Sequence, residues 1–447
     1  MLGKLKHDLQ QNLFKTRLSD FINLNHELVH LSKLINWNKI EEAFGKFYAL
    51  NGRPSIPIRT IGGLLMLKEL FDSSDERVVE LWIENPYWQY FTGEDFFQEQ
   101  QPFDPSEFVH FRKRIGESGL EFLLSQTVAL HPGSEIEEEV QVDTTVMEKN
   151  VTYPTDSKLA KKVIDKCSKI AEKEGIEQRQ SYKRVSKQLL RSSYFGHHPK
   201  RKKPAQKARK RLRTLGKRVL RELERKLSPS RLEHYKVLFE VYHKALTQER
   251  HTKDKVYSLH EPDVACIAKG KAHTPYEFGT KVAVVRGRKT GVITAIYTFP
   301  GNPNDGKTLH DALHQSQRIR EQAGGNRPKL ASTDRGFIGV KEVEGTQILK
   351  PKAQKEATPY LQQKARKRFR DRAAIEPAIS HLKRNHALGL NFLKGAVGNA
   401  LNALCAAIGY NLKRKLKHIK EELLLWLHFF ICNLNPSKLS NSPIKNY

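Results

Sequence analysis

Residues 158–254 split a β-rich pattern in two. On their N-terminal side, Glu139–Val146 (EVQVDTTV) alternates apolar and polar residues, the period of a strand with one buried face, and it carries Asp143. On their C-terminal side, Phe278–Arg286 and Val292–Phe299 are β-branched runs joined by Gly287–Gly291 (GRKTG), the pattern of an antiparallel hairpin. Between the two the chain is helical, low in aromatics and heavily basic. Lys200–Lys226 alone holds 14 basic residues against two acids, Glu222 and Glu224. A stretch of this kind reads as a helical module inserted into an α/β framework.

The rest of the framework follows from periodicity and punctuation. Thr308–Gln322 reads as a helix, Pro328–Thr333 and Gln347–Leu349 as short strands, and residues 357–434 as a long helical tail. Residues 15–130 are helical, with breaks at Pro54, Pro57, Pro86, Pro102 and Pro105, and Thr60–Phe71 has helical apolar spacing. Aromatics crowd Trp82–Phe97; filling a core is the favoured reading, stacking on bases the alternative. The expected class is α/β, a mixed sheet flanked by helices. The expected division is an N-terminal helical DNA-binding region (1–130), a catalytic core in two pieces (131–157 and 255–400), the basic helical insertion (158–254) and a C-terminal helical tail (401–447).

Charge narrows the partners. The 447 residues carry 78 Lys and Arg against 49 Asp and Glu, a net charge of +29, which suits a large polyanion. A lipid surface is also anionic. The longest apolar run, Leu423–Cys432 (LLLWLHFFIC), is however about half of the ~20 residues a spanning helix needs, and it reads as the buried face of a C-terminal helix. Fourteen cations on one helical stretch repel one another unless phosphates neutralise them, so the insertion is expected to grip a DNA backbone. Lys202, Lys203, Arg209, Lys210 and Arg211 are the candidate contacts. The first residues lack a secretory pattern, so a cytoplasmic location is expected. Cys167, Cys266, Cys405 and Cys432 show neither zinc-ligand nor paired spacing.

The sharpest chemical signal spans Phe369 to Lys383 (FRDRAAIEPAISHLK). Phe369, Arg372, Glu376 and Lys383 follow one another at intervals of three, four and seven, which return to one face of a continuous helix. Glu376 would help hold a metal while Arg372 and Lys383 neutralise phosphate oxygens. Pro377 either kinks that helix or opens a new one with Glu376 near its start. Asp143 and Asp334 each end an expected strand, and three carboxylates brought together are tolerated when divalent cations bridge them. Two further patterns carry less weight. Gly301–Thr308 (GNPNDGKT) fits a phosphate-binding loop, but it follows a hairpin arm rather than a central parallel strand. His197 and His198 lack a third ligand at metal spacing and read as surface residues.

The spacing Phe369, Arg372, Glu376, Lys383 resembles the Y-x2-R-x3-E-x6-K signature of bacterial insertion-sequence DDE transposases. The surrounding words IEPAISHLKRNHALGLNFLKG and NALCAAIGYNLKR are similar to family five of those elements. So are VDTTVMEKNVTYPTDSKL around Asp143, STDRGF around Asp334, and the N-terminal RPSIPIRTIGGLLMLKELFDSSDE. The resemblance covers nearly the whole chain. It implies a ribonuclease H-like core in which Asp143, Asp334 and Glu376 bind metal, with Arg372 and Lys383 as DNA-contacting supports. Two positions depart from the pattern: Phe369 stands where the signature has tyrosine, and Leu390 where an arginine is common.

What the resemblance implies is metal-dependent cleavage and strand transfer at the ends of a bacterial insertion sequence. Mg²⁺ would be the cofactor, as two ions, with Mn²⁺ able to substitute. The partners would be double-stranded DNA, both element ends and target, with no membrane, and the chain would act as a homodimer or larger assembly at the bacterial nucleoid. Two other classes remain open: a metal-dependent nuclease that does not join strands, and a non-catalytic DNA-binding relic.

Overall fold

The computed structural model describes residues 2, 3, 5, 16–49, 51–194, 196, 198–249, 251–268, 275–351 and 358–434. Seven helices come first: α1 (Leu18–Phe21), α2 (Glu27–Leu34), α3 (Trp37–Gly45), α4 (Ile58–Phe71), α5 (Asp75–Glu84), α6 (Pro86–Phe91) and α7 (Glu107–Ala129). Their boundaries follow capping chemistry. The side chains of Asn36, Ser74 and Asn85 accept hydrogen bonds from the first free N–H groups of α3, α5 and α6, and Pro86 occupies the first turn of α6, where its missing N–H costs nothing. Gly116 breaks α7 with a φ of 59°, a conformation that strains any residue with a Cβ.

The chain then enters the sheet at β1 (Glu139–Lys149) and leaves it at once for four helices, α8 (Asp156–Lys173), α9 (Lys183–Ser193), α10 (Lys202–Lys226) and α11 (Pro229–Thr247). These form a body with its own core, built from residues between Leu159 and Leu259. Helix α10 explains why so basic a segment folds: Ala205, Ala208, Leu212, Leu215, Val219 and Leu223 recur every three or four residues and are buried, leaving the cations to the opposite face.

The sheet resumes with β2 (Ala265–Ala268), β3 (Tyr276–Gly287) and β4 (Ile293–Phe299). Helix α12 (Asp305–Gln322) follows, then β5 (Leu330–Ser332), β6 (Glu342–Val343), β7 (Thr346–Leu349), α13 (Pro359–Arg372), α14 (Ile375–Asn385), β8 (Leu390–Asn391) and α15 (Gly395–Leu434). The order across the sheet is β2-β3-β1-β5-β7-β6, with β4 beside β3 and β8 beside β1. The long pairings β1–β3 and β3–β4 are antiparallel, and β1–β5 and β5–β7 are parallel. The sheet is therefore mixed, and the β3–β4 hairpin turns where the Gly287–Gly291 stretch places it.

Alternation along the strands builds two cores. Val140, Val142, Ala283 and Val285 face α12, where Leu309, Ala312 and Leu313 meet them. Val282, Val284, Ile293 and Ile296 face the other way, into a larger core shared by the N-terminal helices and by Leu401–Ile419 of α15. The N-terminal and C-terminal helices thus pack as one layer against the sheet. Trp82, Trp88 and Phe91 lie inside that layer and fill a core, with Trp82 Nε1 donating to Thr92 Oγ1 at 2.8 Å, whereas Phe97 at the end of the aromatic run is exposed.

One expectation is overturned. The apolar run Leu423–Cys432 is helical, but its described side chains are not a buried face: only Leu423 packs on the core, and Leu424, Leu425 and Phe429 are 65%, 70% and 68% exposed. Lys420 of α15 pairs with Glu27 of α2, and beyond Leu423 the described side chains as far as Phe429 are exposed. Among those residues no helix is long and apolar enough to cross a membrane.

Candidate active site

The pairing of β1 with β5 sets the position of two of the three carboxylates. The strands run parallel, with Gln141 opposite Ser332 as their last pair. Two residues beyond that pair lie Asp143 on β1 and Asp334 after β5. Because side chains on a strand alternate, that step keeps Asp143, still within β1, on the face of Gln141. Asp334 follows in the loop after β5, so both aspartates stand just past the point where the two strands stop pairing.

Over the same face a polar clasp holds the end of α13. Gln141 Nε2 donates to the Asp371 carbonyl at 2.8 Å, and its Oε1 accepts from Arg286 Nη1 at 2.6 Å. Arg288, in the hairpin turn, donates through Nη1 to Glu139 Oε2 at 2.8 Å and through Nη2 to Asp371 Oδ2 at 2.6 Å. Ser332 Oγ donates to the other Glu139 oxygen at 2.9 Å. With Asp371 fixed, the next residue reaches inward: Arg372 Nη1 stands 3.8 Å from Asp143 Oδ2, and Nη2 stands 3.7 Å from Glu376 Oε1.

Glu376 arrives by the second of the two routes that Pro377 allows. Helix α13 ends at Arg372 and α14 starts at Ile375, so Glu376 lies in the first turn of a new helix rather than within a continuous one. The break does not separate Glu376 from Arg372, since both stay in ion-pair range. Glu376 is mostly exposed, whereas Asp143 and Arg372 are largely covered. Lys383, two turns along α14, points to the buried Glu277 of β3 at 3.8 Å.

Burial pushes the Asp143 carboxyl up to about 6. The N–H of Thr144, donating at 2.8 Å, and Arg372 oppose the rise, while the charges of Asp334 and Glu376 add to it. A carboxylate in this position lacks positive charge. Arg372 Nη1 is buried and has no hydrogen-bond partner among the described residues, which suits an anionic ligand such as a phosphate oxygen. At Gly336 a Cβ would stand 3.1 Å from Asp334 Oδ1 and 3.1 Å from Asp305 Oδ2, and the Gly336 N–H donates to Asp334 Oδ1 at 2.8 Å. Three carboxylates with hard oxygen donors fit Mg²⁺ or Mn²⁺. In the present side-chain positions no group of three His, Cys, Asp or Glu among the described residues closes on a single ion.

Asp305 and its neighbours were not singled out from sequence. Asp305 belongs to the GNPNDGKT stretch, which is not an open phosphate loop. Strand β4 before it is antiparallel to β3, Asn304 caps α12, and the carbonyl of Ile338 covers Gly306, 2.7 Å from where a Cβ would stand. Arg288 was likewise hidden inside a turn sequence.

The candidate DNA contacts on the insertion are exposed: Lys202, Lys203, Lys210 and Arg211 lie on the outer face of α10. Arg209 is exposed too, but its Nε and Nη2 donate to the Ser193 carbonyl at 3.3 and 3.0 Å, so it braces α9 against α10. Of the histidine pair, His197 lies outside the described residues, and His198 precedes the short 3₁₀ turn Pro199–Arg201.

Residues 16–114 match the family model described as Transposase domain (DUF772), and residues 244–412 match the one described as Transposase DDE domain. The chain belongs to the insertion-sequence DDE transposases. Asp334, Arg372, Glu376 and Lys383 of this transposase fall inside the second match, while Asp143 and helices α8–α10 fall between the two. A Rhizobium meliloti protein described as "Uncharacterized protein ORF8 in nfe locus" is 46% identical over 194 residues, which are 42% of this chain and 94% of that protein. No solved structure matches the chain. Family membership implies a ribonuclease H-like core, action on DNA and use of divalent metal ions.

Proposed function

We propose that the transposase cleaves phosphodiester bonds at the ends of its element and joins the freed 3′ ends to target DNA at one site formed by Asp143, Asp334 and Glu376. The observation that carries this reading is the buried Asp143 carboxyl, raised to about 6 beside two further carboxylates and bridged to Glu376 by Arg372. Bound at these three residues, two Mg²⁺ ions, or Mn²⁺ in their place, would offset charge on the attacking and leaving oxygens of an in-line displacement.

The protein residues do the rest. Asp143, within β1, and Asp334, two residues after β5, define where the scissile phosphate sits. Arg372 has a free N–H to offer one of its non-bridging oxygens. Glu376, exposed at the head of α14, closes on the site when DNA fills it. Water attacks phosphorus in the first step, its proton passing to solvent as the 3′ oxygen leaves; in the second, that 3′-hydroxyl gives up its proton to solvent and attacks a phosphorus of the target strand, whose bond to the target's own 3′ oxygen breaks. No covalent link to the protein forms. Lys383, once drawn from Glu277, and the outer face of α10 with Lys202, Lys203, Lys210 and Arg211 neutralise flanking phosphates. Joining two ends in one event requires two copies of the chain.

The test is a plasmid carrying the gene with its native flanks, incubated with the transposase in Mg²⁺ or in EDTA. Mg²⁺-dependent cuts at the flanks and joined products, both lost in Asp334→Asn, are expected. Cuts without joined products would leave a nuclease, and binding without cuts a relic.

A further inference from the structure

The site contains a fourth acidic group. Asp305, the first residue of α12, approaches from the face of the sheet opposite Arg372 and Glu376. Its Oδ1 is fully engaged: it accepts from Thr144 Oγ1 at 2.8 Å and pairs with Lys281 Nζ at 2.5 Å. Thr144 is the residue next to Asp143, and Lys281 is anchored in turn on the Pro303 carbonyl at 2.7 Å. Oδ1 is thus held by two donors on two strands, while Oδ2 and Asp334 Oδ1 each lie 3.1 Å from where a Gly336 Cβ would stand, and Asp334 Oδ1 also accepts from the Gly336 N–H at 2.8 Å.

We propose that Asp305 is a metal-facing residue of this transposase, holding with Asp334 the ion on the α12 side of the site, with Lys281 and Thr144 as its positioning residues. The inference rests on the reading of Asp143, Asp334 and Glu376 as metal ligands and extends it. A carboxylate needed only to neutralise Lys281 could turn either oxygen anywhere around the ammonium group. Here one oxygen serves both donors, and the other shares with a second carboxylate the space beside Gly336, where a Cβ would crowd both. Two carboxylates sharing such a space repel unless a cation joins them. Anchoring of a ligand by outer hydrogen bonds is the arrangement by which metal sites fix ligand orientation. The buried hydroxyl of Thr333, which has no hydrogen-bond partner among the described residues, sits next to Asp334 in the same loop.

Removal of Asp305 alone would strand the buried Lys281 cation, so the informative comparison is Lys281→Met against Lys281→Met/Asp305→Asn, both lacking that charge. Binding of Mn²⁺ alone to the full chain is measured by electron paramagnetic resonance, with thermal unfolding as a control for folding. Lys281→Met loses a positioning contact but keeps the Asp305 carboxylate, and its Mn²⁺ affinity is the reference against which the double variant is read. The double variant should bind about ten-fold more weakly or worse, and activity in Mn²⁺ should shift to higher metal concentration by the same factor. Equal Mn²⁺ binding by the two variants would overturn the proposal and leave Asp305 as the partner of Lys281 only. Asp334→Asn separates the two readings: if it too binds like the wild type, the triad assignment itself fails.

Discussion

Arg372 is the only described cation within ion-pair distance of Asp143, with Nη1 3.8 Å from Oδ2. At that separation the guanidinium attracts the carboxylate without spending a hydrogen bond on it, so the same nitrogen can turn to a phosphate. Arg372→Ala should lower cleavage by roughly 100-fold or more, the usual effect of losing one preorganised donor to developing charge. Arg372→Lys should recover only part of this, because a single ammonium group cannot span Asp143 and Glu376 at once. Single-turnover cleavage of a labelled element end measures both.

The raised Asp143 carboxyl has a consequence for stability that runs opposite to ordinary acid lability. Its folded value of about 6 lies above the unfolded aspartate range near 4. The folded state therefore binds more protons in that window, and metal-free stability falls as pH rises from about 4 to 6 and stays low above it. The penalty at pH 8 is on the order of 2 kcal/mol. Asp143→Asn should lift most of it, making the inactive variant the more stable protein in EDTA at pH 8 and no more stable at pH 4. Metal binding, which needs the ionised form, should weaken as pH falls through about 6. Urea unfolding at pH 4 and pH 8, with and without Mg²⁺, checks the sign.

Arg288 ties the hairpin turn to the end of α13, and its two partners should separate on mutation. Arg288→Ala leaves the buried Glu139 carboxylate without its cation and should cost about 3 kcal/mol of stability. Asp371→Asn keeps the Arg288–Glu139 pair, so it should cost about 1 kcal/mol. It also frees the segment that carries Arg372, so cleavage should drop by more than the loss of stability explains. Thermal unfolding and cleavage rates for the two variants make the comparison.

Much of this architecture was legible in the amino-acid order. The Gly287–Gly291 turn, the buried stripe of α10 and the strand carrying Asp143 each follow from a period or a turn residue, because burial on one face leaves a local mark. Contacts between distant segments leave none. Arg288 reads as one of several cations in a turn, and only the folded hairpin shows that it meets Asp371, 83 residues away. Asp305 was visible only as part of a phosphate-loop pattern, although it lies in the first turn of α12 and touches the residue beside Asp143. The apolar run at Leu423–Cys432 misled for a related reason: composition reports that a helix can be buried, not whether a neighbour reaches far enough to cover it.

The insertion makes a separate prediction. Lys202, Lys203, Lys210 and Arg211 extend outward from α10 without a structural task, whereas Arg209 is committed to the Ser193 carbonyl. Replacing the first four with glutamine should leave stability unchanged and flatten the dependence of DNA affinity on salt, by up to about 0.9 in logarithmic slope per lost phosphate contact. Arg209→Ala should instead lower the stability of the helical insertion. Filter binding across a salt series, with thermal unfolding in parallel, distinguishes the two kinds of cation.

The most direct test of the central claim is a change of metal preference at the triad. Asp143, Asp334 and Glu376 are replaced singly by cysteine, and cleavage and joining are measured in Mg²⁺ and in Mn²⁺. Thiolate is a poor ligand for Mg²⁺ and a better one for the softer Mn²⁺. The account predicts products from none of the three variants in Mg²⁺ and restored products in Mn²⁺ for at least Asp143→Cys and Asp334→Cys. Full activity of any of the three in Mg²⁺, or no rescue by Mn²⁺ in folded Asp143→Cys and Asp334→Cys protein, would contradict it.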